Sequence, residues 1–291
     1  MKTGRKNMIA MQNIITPRAS YMTRGGLSSE LSREELKRAV PSAYSEAAHA
    51  RTSNRYSFFS TDTVIEALRD SGWAPASGQQ QRARALDRSG FQKHLIRFQR
   101  REELGRAVLH DSRLELVLVN SHDGGCAFQL HAGIFRLVCC NGLIISEASY
   151  GAVSIRHSHR TVEQVIEASH EIAEGSDRIG SRIDDFRQRE LLDEERTDFA
   201  RRALALRYET PEAAPVYPDK LLQPLRREDM GRSLWQTFNV VQERMMRGSR
   251  PDWAKAHREG RRMARVRALT GLDAQLDLNR NLWELAASYL N

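Results

Sequence analysis

The sequence predicts an α+β fold: a central, mostly antiparallel sheet over about residues 91–160, flanking helices and a helical C-terminal region. Three observations predict it. Apolar and polar residues alternate between positions 91 and 159, the period of a half-buried strand. After Thr161 the apolar spacing lengthens to that of a helix. Short polar turns such as Asp123-Gly124-Gly125 separate the strand-like runs, and these join antiparallel neighbours rather than crossovers. With 291 residues, 40% of them hydrophobic, the chain is long enough to bury a core.

Residues 1–55 read as a basic, loosely held arm, with one short helical pattern near residues 32–40, where Ser32-Arg-Glu-Glu offers an N-cap followed by acids. Order is expected from Tyr56. Ser60 or Thr63 caps a helix whose apolar face is Val64, Ile65 and Leu68, and Gly72 ends it in the left-handed conformation. Residues 74–90, polar and rich in Gln and Arg, read as a mobile loop.

Strands follow at residues 91–99, 113–119 and 126–130. Residues 134–140 and 143–146 flank Asn141-Gly142, which fits a type I′ hairpin, and the same pair would also end a short helix over 131–140. Residues 153–159 add one more strand. A helical, acidic segment runs to about residue 210, completing an α+β core over 56–210. Pro211, Pro215, Pro218 and Pro224 mark a linker over 211–228, and residues 229–291 form a helical C-terminal region packed on the core. Its helical stretches fall near 229–247, 252–269 and 280–290.

Composition limits what this fold does. The 45 basic side chains outnumber 37 acidic ones, and only six of the 45 are lysine. A GC-rich genome explains the arginine-to-lysine ratio but not the net charge of +8. Arginine's planar fork grips phosphate and stacks on bases, so the excess suits a polyanion. The charge is uneven: residues 1–60 carry ten basic and four acidic side chains, residues 161–210 carry eight and thirteen, and residues 211–291 carry fourteen and ten. No apolar run reaches the ~18 residues of a membrane span, and residues 1–11 lack the apolar core of a secretory signal, so the expected location is the cytoplasm. Three cysteines, two adjacent, make neither a disulfide framework nor a CxxC pattern. No phosphate loop, GxGxxG or nucleophile elbow is present. No cofactor and no catalytic residue is expected.

Two stretches concentrate the cations. Residues 82–106 hold eight Arg or Lys and three acids, interleaved with Phe91, His94 and Phe98. On a strand, Lys93 and Arg97 share one face and His94, Phe98 and Arg100 the other, with Arg101 next in line, which places charge beside a ring as single-strand binding requires. Phe91 and Phe98 as core residues, with the arginines solvating an edge strand, is the alternative. In the second stretch Arg258, Arg261, Arg262 and Arg265 recur at i, i+3, i+4 and i+7, a positive stripe on one helix that suits either a phosphate backbone or the acidic helices of 177–209. Arg136, Asn141 and Arg156 complete the candidate nucleic-acid contacts.

A metal site is the weaker reading. His157 and His159 sit at i and i+2 on a strand, and His122 and Asp123, or His110, Asp111 and His131, complete a site only if the fold gathers them. The turn Asn120-Ser-His-Asp-Gly-Gly also needs its Asn, Asp and Gly simply to turn.

Residues 58–73 (FFSTDTVIEALRDSGW), 118–143 (LVNSHDGGCAFQLHAGIFRLVCCNGL), 153–157 (VSIRH), 235–248 (WQTFNVVQERMMRG) and 281–283 (NLW) together resemble the phage- and plasmid-associated family called domain of unknown function 932. The likeness spans nearly all of residues 56–285; Cys140 and residues 242–246 depart from the usual pattern. It implies carriage by a mobile element, among genes for replication, repair or antagonism of the host, and supplies no catalytic residue. The expected function is a nucleic-acid-binding accessory protein, most of all one that binds or anneals single-stranded DNA, with homo-oligomers compatible. A metal-dependent nuclease, or an anti-host-defence factor whose basic surface meets an acidic protein, are the alternatives.

Overall fold

In the computed structural model the described residues are 19–20, 29–53, 56–83, 85–104, 111–136, 141–145, 153–155, 161–260 and 263–290. The fold is α+β. Helix α1 (Arg33–Ala39) forms where the Ser32-x-x-Glu35 signal stands: the Ser32 hydroxyl accepts from the Glu35 amide, and the Glu35 carboxylate accepts from the Ser32 amide at 2.9 Å. That reciprocal cap satisfies two of the donors a helix start leaves open. Leu36, Ala39 and Val40 are buried in the main core, and the Leu31 amide donates to the Pro75 carbonyl. Residues 29–53 therefore pack on the sheet, against the expectation of a loose arm through residue 55. Helix α2 (Thr61–Asp70) buries Val64, Ile65 and Leu68 as predicted, and Gly72 follows at φ +86°.

The expected loop after Gly72 is instead strand β2 (Trp73–Gln80). Its composition is loop-like for a packing reason. A Cβ on Gly78 would meet Val40 Cγ2 at 2.4 Å, so the strand is kept small where α1 lies across it. The register shifts between Pro75 and Ser77, which places the proline at an irregularity that tolerates a missing donor.

Strands β3 (His94–Arg100), β4 (Ser112–Asn120) and β5 (Phe128–Arg136) continue the sheet, each antiparallel to the one before. Strand β1 (Ala19–Ser20) pairs with β2 at the far edge. Along the other edge of β5, β6 (Asn141–Ile145) pairs with residues 132–136 and β7 (Val153–Ile155) with residues 128–130. β5 and β6 pair antiparallel near Asn141, but Arg136 pairs with Asn141 and Phe135 with Gly142, so that dipeptide is strand; residues 137–140 lie outside the described residues. Likewise residues 128–136 form one continuous strand across the expected break between the runs at 126–130 and 134–140, of which 137–140 lie outside the described residues.

Helices α3 (Thr161–Glu174), α4 (Ser176–Gln188) and α5 (Asp193–Ala205) follow the sheet, then α6 (Leu234–Arg247), α7 (Trp253–Arg258) and α8 (Leu272–Ala287). One core runs from Leu36 and Ile65 through Phe98, Leu116 and Leu130 to the helices, where Phe186, Phe238 and Trp283 pack as tilted and edge-on rings. A smaller cluster, Leu95, Val117, Val119 and Leu272, lies where α8 covers the opposite sheet face. The proline-rich span is no free linker: Ala214, Val216 and Leu221 are buried in the main core.

The helix expected over 252–269 stops at Arg258, and Gly260 stands at φ +64°. Residues 263–269 carry no helix and run back along residues 246–252. Asp252 N donates to Ala264 O at 2.8 Å, Ser249 N to Val266 O at 3.1 Å and Leu269 N to Met246 O at 2.9 Å. Those bonds, and burial of Ala264 and Val266, outweigh the helical propensity of Arg, Ala and Leu. Among the described residues no helix is long and apolar enough to cross a membrane.

Candidate nucleic-acid interface

Arginine and lysine reach a polyanion only if no carboxylate claims them first and the side chain meets solvent. In the first candidate stretch Lys93, Arg97, Arg100 and Arg101 are each engaged within the fold, while Arg82 and Arg88 are exposed. Lys93 pairs with Asp273 at the start of α8. Arg97 lies over Glu115, which is 2% exposed, at 2.9 Å, while Gln99 donates to the same carboxylate at 3.1 Å. Phe98 is in the core, with no face left to stack a base. Arg100 sits over the Trp73 ring at 5.0 Å, and Arg101 bonds Glu30 at 3.1 Å. The core alternative weighed for Phe98 is thus the one the packing follows. The missing information was tertiary: Glu30, Glu115 and Asp273 lie far away in sequence.

His94 is also fully buried, in a polar network that ties residues 42–49 to the sheet. Gln92 O accepts from His94 Nδ1 at 3.2 Å, so Nδ1 carries the proton and Nε2 accepts from the Thr61 hydroxyl at 3.1 Å. The Thr61 oxygen then accepts from Asn120 Nδ2 at 2.9 Å and from His122 Nε2 at 3.0 Å. Ser42 Oγ adds a contact to His94 Nδ1 at 3.1 Å and donates to Gln80. Every proton has a place in the neutral state, and a second proton on His94 would point Nε2–H at an oxygen whose lone pairs are taken. Burial first, and then His122 close by, push the His94 pKa down to about 3.

This placement bears on the turn and on two of the metal candidates, His122 and Asp123. His122 is sealed inside, its amide bonded to Phe91 O and its carbonyl accepting from His49 N. Asp123 Oδ1 accepts from Gly125 N at 2.9 Å, and Gly124 takes φ +75°. Both residues build the turn. His110, His157, His159 and Arg156 lie outside the described residues, and among the described residues no group of three His, Cys, Asp or Glu is arranged to hold a metal ion.

Arg136 is 4% exposed, clamped between Asp111 and Asp229 at 2.5 Å each. Burial alone would lower its pKa; the two carboxylates hold it raised instead. It joins the sheet to the helical region and is not a surface cation. Asn141 sits beside it through the β5–β6 pairing, and only its backbone is described.

The second stretch differs. Arg244 donates twice to Gln223 O, and Lys255 is buried with its ammonium on Glu212 O, so these two serve the fold. Arg247 meets Glu243 at 3.4 Å. Arg250, Arg258, Arg265 and Arg267 are all exposed, and among the described residues no carboxylate pairs with any of the four. Arg258 donates to the Tyr217 hydroxyl at 3.3 Å. Arg261 and Arg262 lie outside the described residues. The alternative pairing with the acidic helices of 177–209 is not made by Arg258 or Arg265 among the described residues. Arg258 ends α7, whereas Arg265 and Arg267 alternate with buried Ala264 and Val266 along a non-helical segment paired with the stretch that carries Arg250.

Beside this ribbon Trp253 is 63% and Met263 48% exposed, unusual for such side chains. Arg250, Trp253, Met263 and Arg267 were not among the predicted contacts. A signal for them existed: in Met263-Ala-Arg-Val-Arg267 polar and apolar residues alternate with the period of two, just after a glycine able to end a helix.

Comparison with known proteins places the chain in a family. The family described as Domain of unknown function (DUF932) matches residues 48–283. The chain is similar to the UPF0380 proteins YafZ and YfjQ of Escherichia coli (strain K12), each 34% identical over 261 residues, covering 89% of this chain and 92% of the relative. No solved structure matches it.

Proposed function

We propose that this chain, which belongs to the Domain of unknown function (DUF932) family, binds nucleic acid through the ribbon of Arg250, Arg258, Arg265 and Arg267, with Trp253 as a stacking platform for an unpaired base. The observation that carries the reading is the coincidence of four exposed arginines, lacking a carboxylate partner among the described residues, with an exposed tryptophan. Cations neutralise phosphates without regard to sequence, and an indole face accepts any base, so the expected ligand is a single strand and the expected preference among sequences small. Duplex DNA keeps its bases stacked internally and offers the tryptophan nothing. Single-stranded DNA of a mobile element, bound or annealed during replication or recombination, is the setting that fits this chemistry.

The test is a mobility-shift series with single- and double-stranded oligonucleotides at low and moderate salt, on the unaltered protein and on Trp253→Ala. Binding stronger for the single strand and weakened by salt is expected. Loss of the tryptophan should reduce single-strand affinity by roughly 1–3 kcal/mol per stacked base and leave the weaker duplex binding unchanged. Equal affinity for both forms before and after the substitution would refute the stacking role.

A further inference from the structure

We propose that α3 is a docking face for a second copy of this chain, and that the arginine ribbon is what docks there. In α3 the carboxylates Glu163, Glu167, Glu171 and Glu174 recur at i, i+4, i+8 and i+11, all exposed, and the helix contains no lysine or arginine. The opposite side of the helix buries Val165, Ala168 and Ile172. None of the four carboxylates has an ion pair among the described residues. Like charges at i and i+4 repel by a few tenths of a kcal/mol, so a one-sign face on an isolated molecule is a standing cost that a cationic partner removes. The ribbon has the same property with the opposite sign, and the two do not meet within one chain.

Their spacings agree. An extended chain advances about 3.3 Å per residue, which sets Arg265 and Arg267 roughly 6.6 Å apart. Carboxylates four residues apart on a helix stand about 6 Å apart along its axis. Two successive arginines of one copy thus face two successive glutamates of the next, and Trp253 and Met263 supply apolar area beside them. The contact joins two different patches, so it is heterologous and either closes into a ring or extends as a filament. It uses the ribbon of the proposed function without resting on that reading.

Analytical ultracentrifugation of the full chain, freed of nucleic acid by nuclease treatment, tests it. At low salt, species larger than the 33.2 kDa monomer are expected, and moderate salt should dissociate them. The double variant Glu167→Lys/Glu171→Lys and, separately, Arg265→Glu/Arg267→Glu should each weaken self-association by at least about 10-fold, since like charges across a contact are strongly unfavourable. Mixing the two variants restores opposite charge at every contact, so the mixture should associate where neither variant does alone. A wild-type chain that stays monomeric at low salt, or a mixture that stays monomeric, overturns the proposal. Oligonucleotide affinity of the α3 variant reports on the nucleic-acid reading separately: it persists if the ribbon binds nucleic acid, whether or not copies associate.

Discussion

Gly248 and Val266 approach so closely that a Cβ on the glycine would meet the Val266 carbonyl oxygen at 2.9 Å. Gly248 also ends α6 at φ 105° and ψ 149°, a region open essentially to glycine alone. That contact sets where the extended segment bearing Arg265 and Arg267 lies against residues 246–252.

Gly248→Ala should therefore act twice. Strain of about 1–3 kcal/mol, plus the clash with a backbone oxygen, lowers stability in urea unfolding. The ribbon is also displaced, so oligonucleotide affinity of the folded fraction falls. A stable Gly248→Ala protein with unchanged affinity would show that this approach does not position the arginines.

Arg136→Ala separates fold from function. It leaves Asp229, 2% exposed, without its main cation, and breaking a buried pair costs about 3–5 kcal/mol. The midpoint of denaturation should drop sharply, while molecules still folded bind oligonucleotide as before. Loss of binding without loss of stability would return Arg136 to the interface.

Acid should weaken the fold through its buried histidines. Burial, and secondarily His122, set His94 at about 3, and burial, with Arg280 next, sets His131 at about 4, against an ordinary value near 6.5. Both folded-state values are lowered, so between pH 6.5 and these values the unfolded chain binds more protons than the folded one and stability rises with pH. The stabilisation is complete above about pH 6.5 and is lost on acidification, with a slope of up to about 1.4 kcal/mol per pH unit for each histidine. Urea titrations at pH 7, 6 and 5 check this, and His94→Gln should flatten the dependence. An unchanged slope in that variant would assign the acid sensitivity elsewhere.

How far these features were legible in sequence follows from the range of the forces involved. The capping box of α1, the face of α2 and the left-handed Gly72 depend on neighbours within four residues and were readable directly. Strand β2 was not, because Gly78 answers to Val40, thirty-eight positions earlier, and Gln/Arg-rich composition hid its pairing with β3. The fate of the arginines was least legible. Arg97 is claimed by Glu115, eighteen positions away on the neighbouring β4, whereas Arg265 meets no carboxylate among the described residues, and the presence of a cation in the sequence does not tell these outcomes apart. The period-two pattern at residues 263–267 did carry the answer for the ribbon, but the i, i+3, i+4, i+7 spacing of Arg258 to Arg265 pointed to a helix that Gly260 ends.

The salt dependence of single-strand binding tests the central claim most directly. Fluorescence anisotropy of a labelled oligonucleotide, with the unaltered chain and with Arg265→Ala/Arg267→Ala, gives log K against log salt for each. For single strands the slope is about −0.7 per neutralised phosphate, so removing two ribbon arginines should flatten it by roughly 1.4 and weaken binding at low salt, whereas Lys93→Ala/Arg101→Ala should leave the slope unchanged. A slope near zero in the unaltered chain, or one that Lys93→Ala/Arg101→Ala changes and the ribbon variant does not, would contradict the account.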